Sequence, residues 1–354
     1  MPRRRNGYQP QMFASDELGA RCPKHMVYGP CGGVRPDGAC ELGDRACPFV
    51  DAPLVRWHAS EVAPRAWPIE SRSAAVPAIP TDRPFVITDL RTVPFDLDSI
   101  EAVTRRLSVF GDAVLIGEHQ NRPDYPPTLM ATLVASAGAR PWVTLTCRDR
   151  NRVVLESELA GLAALGVDGV HCVTGDARAH GVRPEVTQVF DLDGPRLAGL
   201  AAAAGLLPSV AATPTAPPAD LRPRRLLLKE HAGARLCFVN HTESPARLAG
   251  FVAAARQVGV TMPFIAGVAV YTDEVSAAAL RGFPGLELDP ARVAAVLDAP
   301  DPVAGGIDAA VEEARRALAV PGVIGVNLSG LASGDGLETA AKVKAAIGRE
   351  IRGR

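Results

Sequence analysis

The chain has 354 residues, enough for one barrel of roughly 250 residues and an appendage. With 47% hydrophobic and 22% charged residues it has the balance of a soluble globular protein with a large core. A net charge of −1 and a pI near 6.7 argue against a nucleic-acid or membrane-surface role.

From the N-terminus, the basic opening Met1 to Arg5 is not followed by an apolar segment of the signal-peptide kind, and no uninterrupted apolar run approaches membrane-spanning length. The expectation is a cytoplasmic protein. Residues 1–58 lack a sustained hydrophobic period and are dense in Gly, Pro and Cys. Such a segment cannot offset its ordering entropy by core burial alone and needs a staple or a partner. Cys22, Cys31, Cys40 and Cys47 lie there, separated by 8, 8 and 6 residues. This is neither a CxxC zinc ribbon nor the tight ferredoxin run, yet four thiols among glycines suit a tetrathiolate metal site. His25 and His58 are substitute ligands. Cys147, Cys172 and Cys237 fall inside strand-like runs, where free Cys acts as a small hydrophobe. Residues 59–83, with repeated Pro, read as an extended linker.

From residue 84 short β-branched runs alternate with Ala/Leu/Arg-rich stretches of helical period. The runs are 85–89, 113–117, 142–147, 169–175, 207–213, 236–240, 263–271 and 323–329. Helix candidates include 98–110, 152–165, 195–204, 244–258 and 307–318. Eight such alternations predict a (β/α)8 TIM-type barrel over 84–354, with an open doubly wound sheet as runner-up. No Gly-rich dinucleotide fingerprint follows the first run, which weakens the open-sheet reading.

Polar residues follow nearly every run: Asp89, then Glu118 to Asn121, Thr146 to Asn151, Asp176, Asn240 to Glu243, Asp273, and Asn327 to Ser329. In a barrel these positions ring one mouth. Arg148 and Arg150 offer planar forks for a carboxylate or phosphate, while a partly buried carboxyl among Asp89, Asp149 and Asp176 could act as an acid. The alternative for Arg148, Asp149 and Arg150 is a structural ion-pair network at the rim.

The run Leu145-Thr-Cys-Arg-Asp-Arg-Asn-Arg152 and Val173-Thr-Gly-Asp176, in these strand contexts, resemble the methylenetetrahydrofolate reductase family. Lys229 with Ala232-Gly-Ala234 and the last two barrel units resemble it too. The resemblance implies Asp89 as proton donor and Asp176 as a catalytic residue that also binds the pterin. It implies Asn240 as a substrate ligand; Glu118, in the same ring of strand ends, is assigned to substrate binding as well. Thr146, Arg148, Asp149, Arg150, Asn151 and Lys229 would lie against FAD. The family's aromatic and Pro-Pro after the first acid is replaced by Leu90 to Pro94. Its flavin motif after strand five is replaced by Ala212 to Ala216, and its Gln-x-x-x-Asp after strand six by Asn240 to Ser244. Folate positions are thus better kept than flavin positions. The Cys-rich run resembles the reductase "C-terminal" domain, also found in the small partner subunit of acetogen reductases and associated there with an iron–sulfur cluster. Cys22, Cys31, Cys40 and Cys47 are therefore expected to hold a 4Fe–4S cluster, with Zn²⁺ as the alternative. The implied activity is interconversion of 5,10-methylene- and 5-methyltetrahydrofolate, with an electron-transfer protein as a possible partner. The alternatives are a flavin-free methyl- or methylene-transfer or demethylation component, and a non-catalytic electron-transfer subunit.

Overall fold

A computed structural model describes residues 21–27, 29–51, 79–119, 121–178, 182–242, 244–282, 286–330 and 333–353. Most of the expected linker, and His58, lie outside them.

The strands are β1 (Phe85–Leu90), β2 (Ala113–Ile116), β3 (Pro141–Thr146), β4 (Gly169–Val173), β5 (Leu207–Ala212), β6 (Leu236–Val239), β7 (Phe264–Val270) and β8 (Val323–Gly330). They pair in parallel and in sequence order, and β8 closes on β1. The closed barrel replaces the open sheet weighed above. Around it lie α1 (Leu97–Ser108), α2 (Pro127–Ser136), α3 (Arg152–Ala164), α4 (Gly194–Ala203), α5 (Arg222–His231), α6 (Pro245–Gln257), α7 (Glu274–Arg281), α8 (Pro290–Leu297), α9 (Pro302–Leu318) and α10 (Leu337–Arg352). Asp96, Asn151, Asp193, Asp273, Asp289 and Asp301 cap helix N-termini by accepting backbone N–H bonds. Each satisfies a donor that the first helical turn leaves orphaned.

Strand residues alternate between two apolar environments, as the period of two requires. Phe85, Ile87, Leu115, Trp142, Leu236, Phe238 and Ile265 pack together inside the barrel. Val86, Val326 and Leu328 face α9 and α10. Trp142 plugs the interior: its ring meets Phe85 edge-on at 6.0 Å, and its Nε1 donates to Ser209 Oγ at 2.9 Å. Gly169 makes room for it, because a Cβ there would lie 2.3 Å from the indole. The same alternation, continued to the strand ends, brings Asp89, Thr146, Val173 and Asn240 round the mouth.

Residues 21–51 have a core of only Cys22, Met26 and Phe49, with Cys31 and Cys47 against it. Two isolated antiparallel bridges, Val34 with Cys40 and Ala39 with Ala46, fold the segment back on itself. It is seated on the barrel mouth. Lys24 Nζ donates to Gly175 O (2.8 Å), Arg222 Nη1 to Cys31 O (2.9 Å), and Arg196 Nη2 to His25 O (3.4 Å).

Candidate functional site

The segment and the strand ends enclose one cavity of about 350 Å³. Lys24, Met26, Cys31 and Gly32 form one wall; Thr146, Asp176, Thr213, Lys229 and Asn240 form the other. Two smaller cavities adjoin it. One of about 190 Å³ holds Asp89, His241, Asn327 and Ser329 and shares His171 and Asn240 with the first. The other, of about 250 Å³, holds Asp149, Arg150 and Arg178 and shares Glu118 and Arg148. The polar ring is thus one mouth divided into three chambers, and Asp89 and Asp176 line different ones.

Asp176 is exposed at the rim, with its backbone carbonyl accepting from Arg148 Nη1 (3.1 Å). Asn240 Nδ2 donates to Thr213 Oγ1 (3.0 Å), which orients the amide. Asp89 Oδ1 accepts from Asn327 Nδ2 (2.8 Å), and its backbone carbonyl accepts from buried Lys344 (2.9 Å). Burial lowers the Lys344 pKa to about 8 against the pull of Asp89. Glu118 is engaged inside the protein. Oε1 accepts from Arg150 Nη1 and Oε2 from Thr146 Oγ1, both at 2.5 Å. Burial raises its pKa from the ordinary value while Arg150 and Thr146 oppose the shift.

Arg148 and Arg178 both pair with Asp149, at 2.9 and 2.7 Å. Asn151 caps α3 by accepting from Val154 N (3.0 Å) and does not line the large cavity. Lys229 Nζ donates to Ala211 O at 2.5 Å, and burial, reinforced by Arg225, lowers its pKa to about 7.

Sequence reasoning passed over Lys24, Arg222 and His171. His171 sits on the barrel floor, its Nδ1 3.0 Å from Ser209 Oγ and its ring 4.7 Å from Phe238. Burial holds its pKa down at about 3, so it is neutral. Its inward position two residues before Val173 was a usable signal. Nothing local marks Lys24 or Arg222, whose roles depend on distant segments meeting.

All four N-terminal cysteines are free thiols. Burial, and then the other thiols of the set, raise Cys22 and carry Cys47 to about 11, against opposing backbone N–H bonds. Lys24 and Arg222 are the neighbouring cations. The donor set has the softness for iron or zinc. Among the described residues, however, no group of three or more His, Cys, Asp or Glu side chains is spaced to hold a metal ion. The thiols supply the chemistry but, as placed, not the closed ligand geometry.

Comparison with known proteins bears on the thiol segment first. Residues 18–61 match the family described as Methylene-tetrahydrofolate reductase C terminal. The reductase-type segment therefore precedes the barrel and covers its mouth. No curated protein sequence matches the chain. Among solved structures, the barrel is similar to an uncharacterized protein from Clostridium thermocellum described as binding two copies of 5-methyl-5,6,7,8-tetrahydrofolic acid. That match has a TM-score of 0.56 and 12% identity, covering 76% of this chain and 96% of that one. Tryptophan synthase from M. tuberculosis follows at a TM-score of 0.45 and 15% identity, covering 76% and 94%. An oxaloacetate acetylhydrolase has a TM-score of 0.40 and 13% identity, covering 69% and 84%. The first of these likenesses agrees with the closed barrel fold. No helix among the described residues is long and apolar enough to cross a membrane.

Proposed function

We propose that this protein is a folate one-carbon oxidoreductase interconverting 5,10-methylene- and 5-methyltetrahydrofolate. The carrying observation is that the reductase-type segment and the barrel's strand ends line one cavity, with Asp176, Asn240 and Lys229 across from Cys31. The folate-binding Clostridium thermocellum barrel supports the choice of ligand.

In the reductive direction the N10–carbon bond breaks, N10 gains a proton and the one-carbon unit gains a hydride equivalent. A bound flavin or a reduced partner protein would supply the two electrons. Asp176 accepts the pterin's N–H groups, a carboxylate being matched to paired donors. Asn240, its amide fixed by Thr213, takes a further ring hydrogen bond. Asp89, one chamber away, exchanges the N10 proton: acid in one direction, base in the other. The segment over the mouth keeps water from the reacting carbon, which strengthens the polar contacts below it. Assignment of Cys22, Cys31, Cys40 and Cys47 to a 4Fe–4S cluster, or to Zn²⁺, belongs to the same proposal, as do the domain limits 1–58, 59–83 and 84–354.

One observation favours a second reading. Lys229, the lysine expected against flavin, gives its Nζ to Ala211 O. A flavin-free folate-binding component that transfers or removes the methyl group fits that arrangement.

An anaerobic absorption spectrum with iron, sulfide and zinc analysis, followed by a methylenetetrahydrofolate titration, separates the two. Flavin or iron–sulfur bands with turnover support the oxidoreductase. A colourless protein that binds folate without turnover supports the second reading. Asp176→Asn should weaken folate binding or abolish turnover; wild-type values for both would remove Asp176 from the site.

A further inference from the structure

Alternation along β4 turns His171 into the barrel, against Ser209 and Phe238. It lines both the cavity of about 350 Å³ and the Asp89 chamber of about 190 Å³, and among the described residues only Asn240 does the same. A ligand that spans from Asp176 to Asp89 must cross the wall these two share. The imidazole is held on two sides, with Nδ1 3.0 Å from Ser209 Oγ and the ring 4.7 Å from Phe238. Ser209 is committed in turn. Its oxygen accepts from Trp142 Nε1 at 2.9 Å, and its one proton goes to Val170 O at 3.3 Å. Nδ1 therefore supplies the proton of its bond to Ser209.

Burial, then Lys229, keep the ring neutral, so Nε2 is left as a bare acceptor. It finds no partner among the described residues, and the nearby Lys229 gives its Nζ to Ala211 O instead. His171 is only 7% exposed. A fixed, buried acceptor without a donor is costly until a ligand supplies one. We propose that His171 is a specificity-determining residue, its Nε2 accepting a hydrogen bond from a ring N–H of the ligand. On the folate reading, on which this inference rests, the donor is a pyrazine N–H of the reduced pterin. Tetrahydrofolates carry that hydrogen on N8. Fully oxidised folic acid has only bare pyrazine nitrogens, which would set lone pair against lone pair. His171 thus reads the oxidation state of the ring. Asp176 cannot, because the pyrimidine N–H groups it would accept from are present in both forms.

The test is anaerobic calorimetric titration of the full chain, His171→Leu and His171→Gln, with 5-methyltetrahydrofolate and with folic acid. The wild type should prefer the reduced folate. His171→Leu should shrink that preference about tenfold, chiefly by weakening the reduced folate. His171→Gln, which keeps an acceptor oxygen on a similar reach, should restore part of it. In nitrogen NMR spectra of the free protein, Nε2 should be unprotonated at neutral pH and should shift when 5-methyltetrahydrofolate is added. The spectra carry the test if melting shows His171→Leu misfolded. A preference unchanged in His171→Leu, or an Nε2 that bears the proton, overturns the proposal while folate binding stands. If neither folate binds, the folate reading fails and the inference falls with it.

Discussion

The barrel and the segment that covers it are held by different physics. The barrel closes an eight-strand ring round its own interior cluster and lays helices over a continuous apolar exterior. Residues 21–51 have a core cluster of only three buried side chains and depend on polar bonds to the barrel rim. Such a segment is ordered by what it sits on, so the covered state of the cavity is a property of the contact and not of either part alone.

Trp142→Ala attacks the barrel and should have the largest effect. Removing the interior plug should cost about 3–5 kcal/mol in denaturant unfolding. Segment and barrel should then be lost together. Lys24→Met attacks the contact and one ion pair inside the segment, leaving the barrel's own packing intact. It deletes the bond to Gly175 O and the ion pair with Glu41, a loss of about 1–3 kcal/mol. Limited proteolysis should cut within 21–51 while the barrel's melting temperature holds. A barrel that melts earlier by as much as after Trp142→Ala would mean the two parts are one cooperative unit.

Lys229 sharpens the comparison from inside the cavity. With its pKa near 7, below the ordinary 10.5, it is charged at pH 6 and neutral by pH 8. Affinity for an anionic ligand should fall as pH rises through 7, by at most about tenfold per unit. In Lys229→Met that dependence should vanish. The linkage to folding has the opposite sense. Between the two pKa values the unfolded chain binds the extra proton, so this group makes stability rise from pH 7 towards 10.5. A flat binding profile in the wild type would place Lys229 outside the ligand's field. The smallest effect expected is that of Asn151→Ala. Loss of the α3 cap should cost about 1 kcal/mol. Ligand affinity should be unchanged, and a fall would return Asn151 to the binding site.

Much of the barrel was legible. Each strand run and each capping Asp acts over a few residues, so strand ends and the polar mouth could be read without tertiary knowledge. Asp89, Asp176 and Asn240 could be expected round one mouth because barrel strands bring such positions to one face, whereas Lys229, on α5, was named only through the resemblance. Asn151 was read as a cofactor contact, although a polar residue opening a helix is equally well suited to capping. Lys24 and Arg222 were not legible. Each owes its environment to a partner far away in sequence, which periodicity does not record.

By itself, then, the sequence determined the period of two along each strand, the eightfold alternation and the reductase-like run around Cys31, all of which are encoded locally. Tertiary structure alone decided that this run lies over the mouth, that the polar ring divides into three chambers, and which arginines find carboxylates. Those outcomes depend on contacts between chain segments as distant in sequence as Cys31 and Arg222 or Asp112 and Arg352, and on desolvation that exists only once the segments are packed.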